Sequence, residues 1–117
     1  MTLTGVVVRG EGLGRKLGIP TANLAFEGEA PDRGVWAVTV SGADEKTWPA
    51  VCNVGVRPTV SGAGRLTVEV HLPKFSGDLY GKTLSVRFDR KLRDEKKFGS
   101  LDELKAQIQR DIADLLQ

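Results

Sequence analysis

Apolar and polar residues alternate with a period of two along most of the chain, and the period changes only near the end. Residues 65–72 show it most clearly. Leu66, Val68, Val70 and Leu72 fall on one face, while Thr67, Glu69 and His71 fall on the other, the signature of a strand with one face on a core. Residues 83–89 repeat the pattern, with Leu84, Val86 and Phe88 inward. Residues 3–9, rich in β-branched valine, and residues 35–40, with Trp36, Val38 and Val40 on one face, predict two further strands. A short polar stretch over 41–46 predicts an antiparallel hairpin into residues 47–54. Pro49 lacks a ladder donor, so it belongs at an edge or among that strand's first residues. Residues 57–64 end in Ser61-Gly-Ala-Gly64 and read as a mobile flap. From residue 100 the spacing becomes helical: Leu101, Leu104, Ile108, Ile112 and Leu115 recur at gaps of three and four, behind a Ser100/Glu103 capping box. Five or six strands before one amphipathic helix predict a mainly β, small antiparallel barrel, with the helix on its outside or across its mouth.

The chain's 117 residues suit one domain with a single core. Seventeen basic and fifteen acidic residues leave a net charge of +2, scattered along the sequence, so charge does not call for a nucleic-acid partner. Cys52 is the single cysteine and has no partner for an internal disulfide. The opening Met-Thr-Leu-Thr-Gly has neither the basic nor the apolar region of a signal peptide, and no apolar run reaches the roughly 20 residues of a membrane helix. A soluble protein of the reducing cytoplasm is the expectation.

The chemistry concentrates in Gly10-Glu-Gly-Leu-Gly-Arg-Lys-Leu-Gly-Ile-Pro-Thr-Ala-Asn-Leu24. Gly10, Gly12, Gly14 and Gly18 allow positive φ and a close backbone approach to an anion, and Arg15 and Lys16 add charge. Pro20 keeps the run from feeding directly into a helix, and the spacing matches neither a dinucleotide-binding turn nor a P-loop. Thr21 and Asn23, separated by one residue, fall on one face of an extended segment. Two neutral oxygens there suit Mg²⁺, which fills its octahedron with waters and substrate phosphates. The alternative reading of this stretch is a glycine hairpin followed by a Pro-Thr turn.

Several blocks occur in an order that resembles the riboflavin kinase (flavokinase) family. They are Gly5-Val-Val-Val-Arg-Gly10, Gly14-Arg-Lys-Leu-Gly-Ile-Pro-Thr-Ala-Asn-Leu24, Gly34-Val-Trp-Ala-Val38, Asn53-Val-Gly-Val-Arg-Pro-Thr59, Val68-Glu-Val-His-Leu72, Asp78-Leu-Tyr-Gly-Lys82 and Lys91-Leu-Arg-Asp-Glu-Lys-Lys-Phe98. The resemblance covers nearly the whole chain, and Pro-Thr-Ala-Asn is its most specific part. It implies a six-stranded antiparallel Greek-key barrel with a C-terminal α-helix, spanning residues 1–117 as one domain. It also implies transfer of the γ-phosphoryl group of ATP to the 5′-hydroxyl of riboflavin, giving FMN and ADP. By the same resemblance Glu69 is the catalytic carboxylate, and Thr21 and Asn23 hold Mg²⁺ with the nucleotide. Gly10, Gly14, Arg15, Gly18, Thr21, Asn23, Leu72 and Tyr80 bind the nucleotide, while Arg93, Lys96 and Phe98 close over the flavin. Phe98 and Leu101 also offer the apolar wall that a flavin ring needs. Pro73-Lys74 and Trp36 depart from the family's usual residues without touching these roles.

In most bacteria the resemblance is to the C-terminal kinase module of a bifunctional FAD synthetase. A free-standing kinase and an excised module, whose partner would be a missing N-terminal FMN adenylyltransferase module, are both open readings. Two other classes compete. A β-barrel binding single-stranded nucleic acid needs stacking aromatics on exposed strands, yet Trp36 and Phe88 alternate inward among only seven aromatics. A non-catalytic flavin-binding barrel has no reason to carry Thr21, Asn23 and Glu69 together.

Overall fold

The computed structural model describes residues 1–8, 21–58, 64–75, 77–95 and 99–115. Within them run six strands, β1 (Thr2–Val8), β2 (Thr21–Phe26), β3 (Gly34–Ser41), β4 (Trp48–Pro58), β5 (Gly64–His71) and β6 (Thr83–Arg93), followed by one helix, α1 (Leu101–Leu115). The strands close into a barrel in the order β1-β2-β5-β4-β3-β6, every pair antiparallel. β3, β4 and β5 are consecutive neighbours, and β2 returns beside β5, which makes a Greek key.

Closure is completed between the two ends of the sheet. Leu3 pairs with Val86 and Gly5 with Leu84, and the Phe88 N–H donates to the Met1 carbonyl at 2.9 Å. Among the described residues every strand then has a neighbour on both sides, which removes the open edge that is the usual weakness of a β-sheet. The period-two pattern sends Val38, Val40, Cys52, Val54, Val68, Val70, Leu72, Leu84, Val86 and Phe88 inside, where all are buried. Trp36 and Trp48 pack edge-on against Phe88 and Phe75, at centroid distances of 5.7 and 5.3 Å.

The expected hairpin over 41–46 joins β3 to β4. Gly42 sits at a φ of +99° that suits glycine, and Asp44 accepts hydrogen bonds from the Lys46 N–H and Trp48 Nε1–H at 2.8 Å each. Pro49 is the second residue of β4 and faces Thr39, consistent with its missing donor. The extended segment expected at Thr21 and Asn23 is strand β2, which finds partners on both sides, β1 and β5. Two expectations need correction. The flap expected over 57–64 is shortened, since Arg57 pairs with Arg65 and Pro58 with Gly64, and only 59–63 lies outside the described residues. Leu66, expected in the core, is 36% exposed, because it lies on the β4–β5 extension beyond the level that the other strands cover.

The helix packs on the outside of the barrel, against β4. Glu103 donates its N–H to Ser100 Oγ, as a capping box requires, while its carboxylate reaches back to the Gly99 N–H. Outward-facing Val35, Ala37 and Val51 are buried, as is Ile108 on the helix, so the sheet has an apolar patch on its outer side too. Two arginines of β6 hold the helix. Arg93 makes a two-pronged ion pair with Asp111, Nε to Oδ1 and Nη2 to Oδ2 at 2.9 Å each. Gln107 Nε2 adds a third bond to Asp111. Arg90 Nη2 donates to the Asp114 carbonyl. The helix has no basic residue in its last turn, so Arg90 supplies from the barrel the positive charge that a helix C-terminus favours.

Breaking the Arg93–Asp111 pair leaves a largely desolvated charge. Asp111→Ala is expected to lower the unfolding free energy by about 3 kcal/mol, read from urea denaturation. A loss below about 0.5 kcal/mol would mean that the pair behaves like an exposed one.

Candidate active site

The closed interior leaves chemistry to the outer face and the rims. On the outside of β2, β5 and β4, the register aligns Asn23 with Glu69 and Glu69 with Asn53. One step along, Thr21 aligns with His71 and His71 with Val51. Facing residues on adjacent antiparallel strands have Cβ atoms roughly 5 Å apart, so the Glu69 carboxylate stands between two amide side chains, each on a neighbouring strand. Glu69, Asn23 and Asn53 are all half-buried.

His71 has the same outward register but is only 7% exposed. Burial holds its imidazolium below the ordinary histidine range, opposed in part by the carboxylates of Glu69 and Asp111. A buried ring is also less open to an approaching substrate than the half-buried Glu69 beside it. Cys52, on the inner face of β4, has its thiol pushed far up by burial, with the Glu69 charge adding to the effect, so it is not a nucleophile near neutral pH.

Asn53 and Glu95 were not assigned a role from the sequence. Asn53 Oδ1 is a buried acceptor with no hydrogen-bond partner among the described residues. At Gly55, the next outward position on β4, the Glu95 carboxylate lies where a Cβ would stand. Arg33 fixes that carboxylate, donating from Nε at 3.0 Å and Nη2 at 2.7 Å to Oε2. Asn53 was legible as a polar residue within the apolar run Val51-Cys52-Asn53-Val54, but nothing in the sequence showed that it would face Glu69.

The remaining expectations divide. Gly10, Gly14, Arg15, Gly18, Lys96 and Phe98 lie outside the described residues, and for Thr21 and Leu101 only the backbone is described. Leu72, expected against the nucleotide, is fully buried in the core, so it offers a ligand no side-chain surface in this arrangement. Tyr80 is 42% exposed on a loop tied to the end of β1 through Gly81 N–H to the Val7 carbonyl. That places it on the rim where β1 ends and β2 begins. Arg93, expected over the flavin, is engaged with Asp111 on the helix.

Among the described residues no group of three or more His, Cys, Asp or Glu could hold a metal ion. A cation here would instead meet Asn23, with Thr21 at the neighbouring outward register position and the Glu69 carboxylate alongside. Hard neutral oxygens beside one carboxylate fit a divalent ion that arrives with its own phosphate ligands.

The flavokinase family model, described as riboflavin kinase, matches residues 1–117. The chain is 50% identical over 110 residues to the bifunctional riboflavin kinase/FMN adenylyltransferase of Escherichia coli (strain K12), covering 93% of this chain and 35% of that protein. It is 38% identical over 111 residues to the RNA-binding riboflavin kinase RibR of Bacillus subtilis, covering 95% of this chain and 48% of that one. The chain thus spans between about a third and a half of the length of these relatives. Among solved structures, a protein titled macrolide-efflux protein from Streptococcus pneumoniae superimposes with a TM-score of 0.86 at 34% identity, over 96% of this chain and 37% of that one. Riboflavin kinase from Trypanosoma brucei superimposes with a TM-score of 0.65 at 25% identity, over 97% of this chain and 76% of that one. No helix among the described residues is long and apolar enough to cross a membrane.

The position of His71 carries a pH dependence. Its folded-state pKa lies below the ordinary histidine value of about 6.5, so between the two values the unfolded chain binds more protons than the folded one. Stability is therefore complete above about pH 6.5 and falls as the pH drops below it, by at most about 1.4 kcal/mol per unit for one group. Urea midpoints measured between pH 8 and pH 5 should show this fall, and His71→Gln should remove the part that begins near pH 6.5. An unchanged profile in that variant would assign the fall to other groups.

Proposed function

The chain belongs to the riboflavin kinase family, and from that membership we propose that it transfers the γ-phosphoryl group of ATP to the 5′-hydroxyl of riboflavin, giving FMN and ADP. The observation that carries the reading is the cross-strand row Asn23–Glu69–Asn53, with Thr21 one register step away. Phosphoryl transfer asks little covalent chemistry of a protein. It needs charge neutralisation, in-line positioning, and a group to orient the attacking hydroxyl.

Glu69 is the group we assign to the hydroxyl. Its carboxylate accepts the hydrogen bond of the 5′-OH, holds the oxygen toward the phosphorus, and takes the proton as the new P–O bond forms. His71 is the rival base, but it stands two residues along the strand and is buried. Thr21 and Asn23 would hold a divalent cation, Mg²⁺ in this reading, which when bound neutralises charge on the phosphates. Gly10, Gly14, Arg15 and Gly18 would supply N–H donors and charge to the same phosphates, with Tyr80 nearby on the β1–β2 rim. The segment through Lys96, Phe98 and Leu101 would provide the wall for the flavin ring. Arg93 serves this wall indirectly, by fixing the helix that follows it. The RNA binding in the Bacillus relative's name belongs to that protein, and the reading proposed here assigns nucleic acid no part.

Incubating the chain with riboflavin, ATP and Mg²⁺ and following FMN by chromatography tests the proposal; absence of FMN would refute it. Glu69→Gln keeps the shape and loses the basicity, so kcat is expected to fall on the order of 10²–10⁴-fold with both KM values little changed. Turnover near the wild-type rate would instead take the proton from Glu69 and give it to another group. Asn23→Ala is expected to raise the Mg²⁺ concentration needed for half-maximal rate while leaving the thermal midpoint within a few degrees of wild type. Calorimetry should likewise find Mg²⁺ binding weak without nucleotide. Tight binding of the ion alone would point to a carboxylate in its shell.

A further inference from the structure

Asn53 fits poorly where it stands by every local measure except its position beside Glu69. It occupies the middle of β4, with Val35 facing it on one side and Glu69 on the other. Asparagine is disfavoured in strands, and the neighbouring outward residues Val51 and Val35 are apolar and buried. A valine would satisfy both the strand and the patch. The asparagine instead buries an acceptor oxygen that no donor meets among the described residues, an arrangement that costs stability and calls for an explanation.

The surroundings explain what kind of partner it would take. The groups near it are acceptors themselves: Glu69 across the strand pair, and the Glu95 carboxylate seated on Gly55 and pinned by Arg33. An amide oxygen beside two carboxylates is suited to a neutral donor, because an anion would be repelled and an apolar group would leave the acceptor unpaired. Asn23 and Thr21, the proposed cation ligands, lie on the opposite side of Glu69. Asn53 therefore lies on the side of Glu69 away from the phosphates, the side from which the alcohol substrate must approach.

We propose that Asn53 Oδ1 accepts a hydrogen bond from a secondary hydroxyl of the ribityl chain, setting the polyol in register so that its terminal 5′-hydroxyl falls on Glu69. This inference rests on the riboflavin kinase reading and goes beyond it, assigning recognition of the polyol, and not only of the ring, to the barrel wall. A flavin whose side chain lacks that hydroxyl would leave Asn53 unpaired and be a poorer substrate.

The test compares Asn53→Val with Asn53→Thr, which differ by a methyl against a hydroxyl. In the valine variant, kcat/KM for riboflavin should fall by about 3- to 10-fold, the worth of one neutral hydrogen bond. The KM for ATP should stay unchanged, and the thermal midpoint should hold or rise because a buried unpaired acceptor has been removed. Threonine should recover part of the loss. Riboflavin analogues with single ribityl hydroxyls replaced by hydrogen add a second readout. One of them should lose a similar factor with wild type and none with Asn53→Val. If wild type makes no FMN, the kinase reading fails and this inference with it. If wild type makes FMN and Asn53→Val keeps its riboflavin kcat/KM, the inference alone fails. A lowered midpoint with equal losses for riboflavin and ATP would also overturn it, by showing that Asn53 acts through the fold.

Discussion

Everything in this molecule follows from closing a sheet of six short strands on itself. The seam between β1 and β6 commits one face of every strand to a single interior, and the interior is filled with valine, leucine and phenylalanine. A barrel this narrow has no room inside for a ligand. Polar and reactive side chains are thereby sent to the outer wall, where they cannot be enclosed by the sheet and must be enclosed by something laid over it. The C-terminal helix does this for part of the wall, which is why it carries a buried aspartate as well as an apolar stripe.

The fold was largely legible in the sequence because period-two alternation and a capped helical stripe are local signals. Val68, Val70, Leu84 and Val86 went where the pattern sent them. β2 was harder to see, since the extended reading of Thr21 and Asn23 competed with a Pro-Thr turn and is decided only by the strands on either side. The same distinction governs the site. Thr21 and Asn23, both on β2, could be singled out from spacing and from family resemblance, and Glu69, on β5, from the resemblance. That Asn53 joins their row depends on the register between β4 and β5, which no local pattern encodes. Arg93 shows the reverse: its place in a motif suggested a ligand contact, whereas its geometry gives it to Asp111. Leu72 was named by family resemblance, and its side chain lies inside, where alternation sends it.

Two kinds of buried polar group coexist on the outer wall, and they differ in completeness. Asp111 is met by Arg93 and Gln107, so its desolvation is offset by charge-assisted hydrogen bonds and the helix is fixed in one position. Asn53 Oδ1 has no such compensation. A satisfied network rigidifies a support, and an unsatisfied group beside a half-open carboxylate is the pattern expected where stability has been traded for recognition. The first lies under the helix and the second beside Glu69, so the wall grades from scaffold to site over a few strands.

The β1–β6 seam also has a consequence in time. It joins residues 2–6 to residues 83–87, so the contact that completes the core links the two ends of the strand sequence. Such long-range pairing is slow to form, because the chain must surrender the entropy of a large loop before any interior contact rewards it. On the ribosome, β1 emerges before β6 and must wait for it, and until then its apolar residues Leu3 and Val7 have no complete core to enter. The first strand of the barrel to be made is among the last to be buried, which makes nascent-chain handling, more than equilibrium stability, the point at which this small barrel is most exposed to aggregation.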